Sequence, residues 1–280
     1  LIHSWMYISD LISSIAGFLS NTKIIWCVRN TTLKIGSSSK YSLLSRLIAI
    51  PLSYICPSKI IYCSESAKFC HEKLGYNKKI GVKVFNGIDC DLFKPLTKRA
   101  LRHKPIKIGM PARFDKQKNH ILLLKAIREI YLKKIDHSEI QFFFAGKNIN
   151  KANLKSIYPY NFNEISKYIN TIGEVKNMTL FYNSVDFCIV CSSYGEAFPN
   201  VIAESMACGT PCISTIIGDS KLIINNNGWL VKSFKKDDLA KKIKSLIKIN
   251  NEKYKNISIS GRERIKSKYN LDSMIKKFQD

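Results

Sequence analysis

Residues 191–219, CSSYGEAFPNVIAESMACGTPCISTIIGD, carry the reading that decides the fold. They follow a short apolar run, Val185, Phe187, Ile189 and Val190, which breaks off at Ser192 and Ser193 and so predicts a buried parallel strand. Pro199 stands where a helix begins, because proline at the first helical position loses nothing by lacking an N–H. Gly209 and Pro211 end that helix. A helix that starts just past the carboxyl end of a parallel strand offers unpaired N–H groups and a partial positive charge to an anion. Asn200 and Glu204, four residues apart, share one face of it, while Glu196 sits in the turn before. Each carboxylate is able to accept from two adjacent hydroxyls, so the pair suits two polyols such as a hexose and a ribose. Taken singly, Glu196 reads as a solvated loop acid and Glu204 as a helix-surface acid; the ordered string around them favours a site.

That string, GEAFPNVIAESMACGTPCISTIIGD, resembles the Glu-x7-Glu signature of retaining glycosyltransferases with the GT-B fold, in particular glycosyltransferase family 4, whose members read EGFPNVLLEAMACGTPVVAT before a Gly-Asp or Gly-Gly turn. A second resemblance lies in Ile106–His120, IKIGMPARFDKQKNH, where Arg113 and Lys118 sit on a loop ahead of an amphipathic segment. Two cations over a helix start suit a diphosphate. The resemblance implies that role for Arg113 and Lys118. A third segment, Val84–Pro95, VFNGIDCDLFKP, is similar to the family's link between its two halves, with Asn86-Gly87 as a turn signal. Asp89-Cys90-Asp91 imitates a metal motif of the other large glycosyltransferase fold, yet it belongs to this linker pattern. More loosely, LIHSWMYISDLI (residues 1–12) and IWCVRN (residues 25–30) resemble N-terminal segments of polysaccharide-building members, with Ile8 where those have histidine and with His3 read either as facing the cleft or, as is commoner for a single histidine near a strand end, as structural.

The resemblance implies an α/β GT-B fold of two Rossmann-like doubly wound domains. The expected divisions are 1–97 for a partial N-terminal, acceptor-side domain with linker, 98–268 for the nucleotide-sugar-binding domain, and 269–280 for a C-terminal helix that crosses back. The first of these is shorter than a whole domain of its kind, and the chain opens at Leu1 in mid-pattern, so an incomplete N-terminal domain is expected. Alternation of strand and helix predicts strands at 106–110, 140–145, 169–172, 186–191, 211–214 and 229–231, and helices near 120–132, 177–182 and 199–208.

For the chemistry, the resemblance implies a hexosyl- or glycosyltransferase that acts with retention and without a metal or other cofactor, on a nucleotide-diphosphate sugar and a glycan or lipid-linked acceptor, in polysaccharide or glycoconjugate biosynthesis. Arg113, Lys118 and the helix start near Phe198 would meet the charge that develops on the diphosphate. Glu196 would hold the sugar hydroxyls and Glu204 the ribose. Gly146 and Val175, at further strand ends, would line the nucleotide site, Val175 by base contact or by plain packing. Ala197, Phe198, Pro199, Asn200 and Gly218 complete the expected substrate-binding set. Asp219, in the same turn as Gly218, has the alternative of capping the following helix.

Composition adds bounds. The net charge is +24 over 280 residues, +7 in residues 1–97 and +17 in residues 98–280. Such an excess suggests nucleic acid or an anionic membrane, but it is spread out, with no arginine-rich run or aromatic-basic stripe, so no nucleic acid is expected. Peripheral contact with the inner face of a membrane fits better, through residues 41–55, which read equally as a buried helix. Nine cysteines form no disulfide framework and read as reduced thiols of a cytoplasmic protein. No apolar run is long enough for a membrane span. Two other classes stay open: a sugar-nucleotide-binding remnant without turnover, and a basic nucleic-acid- or membrane-surface-binding protein.

Overall fold

The computed structural model describes residues 1–32, 39–97 and 104–279; the expected start of the second domain at residue 98 and the terminal Asp280 lie outside these. The N-terminal part runs β1 (Ile2–Trp5), α1 (Tyr7–Leu19), β2 (Ile24–Val28), α2 (Lys40–Leu52), β3 (Lys59–Tyr62), α3 (Glu65–Leu74) and β4 (Gly81–Lys83). Its four strands pair in chain order and in parallel, which calls for a crossover segment between each pair of neighbours.

A linker leads to β5 (Ile106–Pro111), α4 (His120–Leu132), β6 (Ile140–Ala145), α5 (Lys151–Ile157), α6 (Phe162–Ile165), β7 (Ile169–Gly173), α7 (Met178–Ser184), β8 (Phe187–Val190), α8 (Asn200–Ala207), β9 (Cys212–Thr215), α9 (Ser220–Ile224) and β10 (Gly228–Val231). Then come α10 (Lys236–Ile247), α11 (Asn251–Lys268) and α12 (Leu271–Gln279). The second sheet is parallel with strand order β10-β9-β8-β5-β6-β7. The chain therefore builds outward from β5 through β6 to β7, returns, and continues on the other side of β5 with β8. That reversal opens a crevice at the carboxyl ends of β5 and β8, the place where open parallel sheets bind ligands. The fold is α/β with Rossmann-like parallel sheets, as expected from the sequence.

Burial explains the layers. All four side chains of β8 are buried, and β5 is buried at every position except Lys107, so helices must cover both faces. On one face α4 and α10 supply Leu123, Ile127, Ile130, Leu239, Ile243 and Leu246 to one apolar cluster. A second cluster is shared between the two parts of the chain: Trp26, Ile60 and Tyr62 of the N-terminal sheet belong with Phe198, Ile202 and Met206. Phe85 of the linker, Phe198 and Tyr269 form an aromatic trio with centroids 5.3–6.1 Å apart. Beyond it, Met274 and Phe278 of α12 pack on Cys27, Ile61 and Val84, so this last helix lies on the N-terminal sheet.

Two expectations change. Pro199 is the residue before the first turn of α8, with φ −72° and extended ψ, and not its first helical residue; the lone proline N serves equally well one position earlier. The 41–55 segment is neither wholly buried nor irregular: α2 buries Ser45 and Ala49 and exposes Tyr41, Leu44, Leu47 and Ile48.

Candidate active site

The crevice between β5 and β8 holds a cavity of about 200 Å³ lined by Met110 and Pro111 of β5 with Ala112 just after it, Ile189 and Val190 of β8 with Cys191 and Ser192 just after it, Lys118, Glu196, and Phe198 to Val201 at the start of α8. β5 ends at Pro111, and the following loop turns on Asp115, whose carboxylate accepts from Gln117 N (2.8 Å) and Arg113 Nε (3.2 Å). The loop is tied to the end of β8 where Ser193 N donates to Gln117 O (2.9 Å). This brings Lys118 over the cavity, where its Nζ donates to Glu196 Oε1 at 2.5 Å and Ser192 Oγ donates to the same oxygen at 2.9 Å. Both members of the pair are mostly buried. Pro199 makes no side-chain cap, so the N–H groups of Asn200 and Val201 gain no partner from a cap, while Ile202 N donates to Pro199 O (3.0 Å). One wall of the cavity thus holds a cation and a helix start, facing a carboxylate.

Five of the residues expected from the sequence meet here: Lys118, Glu196, Phe198, Pro199 and Asn200. Arg113, Gly146, Val175, Ala197, Glu204 and Gly218 stand outside the lining, Gly218 packed behind the loop against Glu196 O and Ala197 O. Arg113 is exposed and turned toward Asp115. Gly146 has φ +142°, and a Cβ there would lie 2.5 Å from Ala112 O; glycine lets the β6 end press on the backbone that carries Arg113. Val175 is half-buried against the shared core. Ala197 is buried. Glu204 accepts a hydrogen bond from the Tyr182 hydroxyl at 2.6 Å, and burial raises its pKa, opposed by that bond. Tyr182 is buried and its pKa is pushed well up, by burial first and then by the Glu204 charge, so it remains a donor.

The sequence did not single out the groups that hold the Glu196 loop from the other side. Thr31 Oγ1 donates to Glu196 O (2.9 Å), Gly195 N to Thr32 Oγ1 (3.3 Å) and Ser66 Oγ to Ala197 O (3.4 Å). Asn86, quoted only as a turn signal, donates through Nδ2 to Asn200 Oδ1 (2.8 Å) and accepts from Arg29 Nη1. Small polar residues carry no pattern that announces such contacts. Asp219 does not cap the helix that follows it: its carboxylate makes no bond to α9 and instead reaches Glu65 N and Ser66 N at the start of α3 (2.8 and 2.9 Å). Asp89 holds a turn, accepting from Asp91 N and Leu92 N. His3 lies against Trp5 and against Phe278 of α12. Among the described residues no group of three or more His, Cys, Asp or Glu is arranged to hold a metal ion.

Solved structures share this architecture. The HepE protein of Anabaena, crystallised with UDP and glucose, superposes with a TM-score of 0.83 over 99% of this chain and 76% of its own, at 16% identity. A glycosyltransferase of Rickettsia africae gives a TM-score of 0.78 at 21% identity, over 99% of this chain and 74% of its own. The sucrose-phosphate synthase of Thermosynechococcus elongatus gives 0.82 at 17% identity, over 99% and 71%. At these identities the likeness speaks to the fold, which is that of GT-B glycosyltransferases. No curated protein matches the chain by sequence. The family described as "Glycosyl transferases group 1" matches residues 95–264, which contain β5, the Lys118 loop, β8 and the whole Glu196–Glu204 segment, and with that match covering more than half of its 280 residues, the chain belongs to this glycosyltransferase family.

Proposed function

We propose that this glycosyltransferase moves a sugar from a nucleotide-diphosphate sugar to a glycan or lipid-linked acceptor with retention of configuration, in polysaccharide or glycoconjugate biosynthesis, and that it does so without a metal. The observation that carries the reading is the Lys118–Glu196 pair, set in the cavity at the strand-order reversal beside the uncapped start of α8. In the donor complex the partners separate. Lys118 turns to the diphosphate and Glu196 to the sugar hydroxyls, so a mostly buried ion pair is exchanged for charge-assisted bonds to the donor. As the bond between the sugar and the diphosphate breaks, negative charge grows on the leaving oxygens, and Lys118, the α8 N–H groups and Arg113 stabilise it. Arg113 reaches them by leaving Asp115, an exposed contact. A cavity of about 200 Å³ accommodates only part of such a donor. The nucleoside extends beyond it toward Glu204, which takes the ribose hydroxyls, and past Gly146, Val175 and Gly218. HepE is described in complex with UDP and with UDP-glucose, which supports the donor class.

The acceptor side carries a surface suited to a lipid-linked substrate. Ile8, Ile12, Ile15 and Leu19 form an exposed stripe along α1, and α2, packed against it, exposes Leu44, Leu47 and Ile48. Among the described residues no helix is long and apolar enough to cross a membrane. The proposed location is therefore cytoplasmic and peripheral, with this face on the inner membrane surface.

Calorimetry with a panel of nucleotide sugars tests the reading. One of them binds the wild type, and Lys118→Ala and Glu204→Gln each weaken binding at least tenfold. Absence of binding by every member of the panel, or equal binding by both variants, would overturn it.

A further inference from the structure

Asp219 ends the turn after β9, and its main chain and side chain bond in opposite directions. Its N–H donates to Ala197 O at 2.8 Å, inside the loop that bears Glu196. Its carboxylate leaves the C-terminal part altogether: Oδ2 accepts from Glu65 N at 2.8 Å and Oδ1 from Ser66 N at 2.9 Å. These are the first two N–H groups of α3, a ten-residue helix on the N-terminal sheet. The helix already has its own cap, since Ser64 Oγ accepts from Ala67 N (2.9 Å). Asp219 thus adds a charged second cap from more than 150 residues away, and it is 5% exposed while doing so. An acidic side chain suits this point, where it accepts from N–H groups at the positive end of the helix dipole.

We infer that Asp219 is a positioning residue that clamps the N-terminal part onto the Glu196 loop and sets the width of the cleft. Its neighbour transmits the constraint: Gly218, at φ +51°, is packed so closely that a Cβ would lie 2.5 Å from both Glu196 O and Ala197 O. Displacement of α3 therefore pulls on the backbone of Glu196. The remaining bonds to this loop from Thr31, Thr32 and Ser66 are neutral, and those of Thr32 and Ser66 are long, at 3.3 and 3.4 Å. A charge-assisted, two-pronged bond dominates such a set.

Deuterium exchange read by mass spectrometry on the full chain tests the clamp without any ligand. In Asp219→Ala, exchange rises at least fivefold at three places together: residues 64–68, residues 29–32 and residues 195–200. The far strand β7 keeps its wild-type rate. Asp219→Asn, which keeps one acceptor oxygen, falls between. Glu65→Pro attacks the clamp from the other side: it deletes one donor at the first helical position, where proline fits, and leaves Asp219 intact. It opens residues 195–200 in the same way. Exchange confined to residues 64–68 in Asp219→Ala, or unchanged 195–200 in Glu65→Pro, overturns the clamp. The consequence for the donor rests on the proposed function: with UDP-glucose as probe, Asp219→Ala and Glu65→Pro each raise Kd severalfold. Failure of the wild type to bind any nucleotide sugar counts against that function and not against the clamp, which the exchange pattern decides by itself.

Discussion

The Glu204 carboxylate accepts a hydrogen bond from Tyr182 in a place where burial already raises its pKa above the ordinary 4.5. A carboxylate raised on folding costs stability above its folded pKa and costs nothing below its unfolded one. Tyr182→Phe removes the opposing bond and raises that pKa further. It therefore destabilises by about 1–3 kcal/mol at pH 7, the usual cost of stripping a partner from a buried polar group, and by less at pH 4, as urea denaturation at the two pH values will show. Gly218 supplies a second test. At φ +51° any side chain is strained, and a Cβ would press on the Glu196 and Ala197 carbonyls. Gly218→Ala is expected to weaken nucleotide-sugar binding about tenfold in calorimetry while the fold persists in circular dichroism. Both residues show what the sequence makes legible at this scale. Gly218 stood in a recognisable turn after a strand, and Glu196, Glu204 and Lys118 in recognisable spacings, because the chemistry of a site restricts residue type. Tyr182 and Asp219 act through partners 22 and over 150 residues away, and no local pattern encodes a partner at that distance.

Elements were far more legible, and for a physical reason. β6 runs from Ile140 to Ala145 and α4 from His120 to Leu132, the bounds that their apolar runs and 3.6-residue periodicity predict. A strand buried on both faces and a helix covering it leave little freedom in where each begins and ends. The N-terminal elements were less legible, because their cores are partly polar. His71 of α3 is fully buried, touching the Tyr7 hydroxyl through Nε2 and Ala67 O through Nδ1, both at 2.8 Å, and burial lowers its pKa from 6.5 to about 4. His120, at the start of α4, is lowered to about 4 by the same cause. On α1, Asp10 is fully buried beside Ser4 and is raised from 3.8 to about 6 by burial. The signs oppose. A histidine lowered on folding loses stability as pH falls below 6.5 toward 4, because the unfolded chain takes up the proton first. The raised aspartate gains stability on acidification from about 6 to 3.8, because here the folded chain binds the proton first. Each of these three terms is on the order of 3 kcal/mol; Glu204, also raised, acts in the same direction as Asp10, but its shift is not large, and the two histidines outweigh both. Stability should therefore fall between pH 6.5 and 4; His71→Gln should flatten that fall and Asp10→Asn should steepen it, measured by urea denaturation across the range.

At the scale of the molecule, the two sheets are joined by a linker, a returning helix and the seam around the Glu196 loop, and one side chain serves the first of these. Arg262 of α11 donates to Cys90 O (3.2 Å) and Phe93 O (3.0 Å) in the linker and to Ala207 O at the end of α8. It thereby binds the linker to the helix whose other end opens on the cavity. Thr179 and Asn183 of α7 hold the next stretch, through Leu92 O and Lys94 O, so the linker runs along the C-terminal part as a fixed strap. Ile88 pairs with Asn270 just before α12, and two residues later Arg262 holds Cys90 O, so the linker is fixed to the C-terminal part on both sides of this point. Arg262→Ala leaves three carbonyls without their charged donor and should cost about 2–4 kcal/mol, since bonds to a charged group are each worth about 1.5–3 and do not add fully. Arg262→Lys keeps three N–H donors but on one nitrogen, without the planar fork that here reaches the acceptors from two separate nitrogens, and should recover less than half of that loss. Thermal and urea denaturation will measure both. Exchange rates separate this anchor from the clamp at Asp219: Arg262→Ala speeds exchange along residues 88–96 and at the carboxyl end of α8, and leaves the first turn of α3 protected. A rise in the α3 turn instead would mean that strap and seam open as one unit and that the linker has no independent anchor.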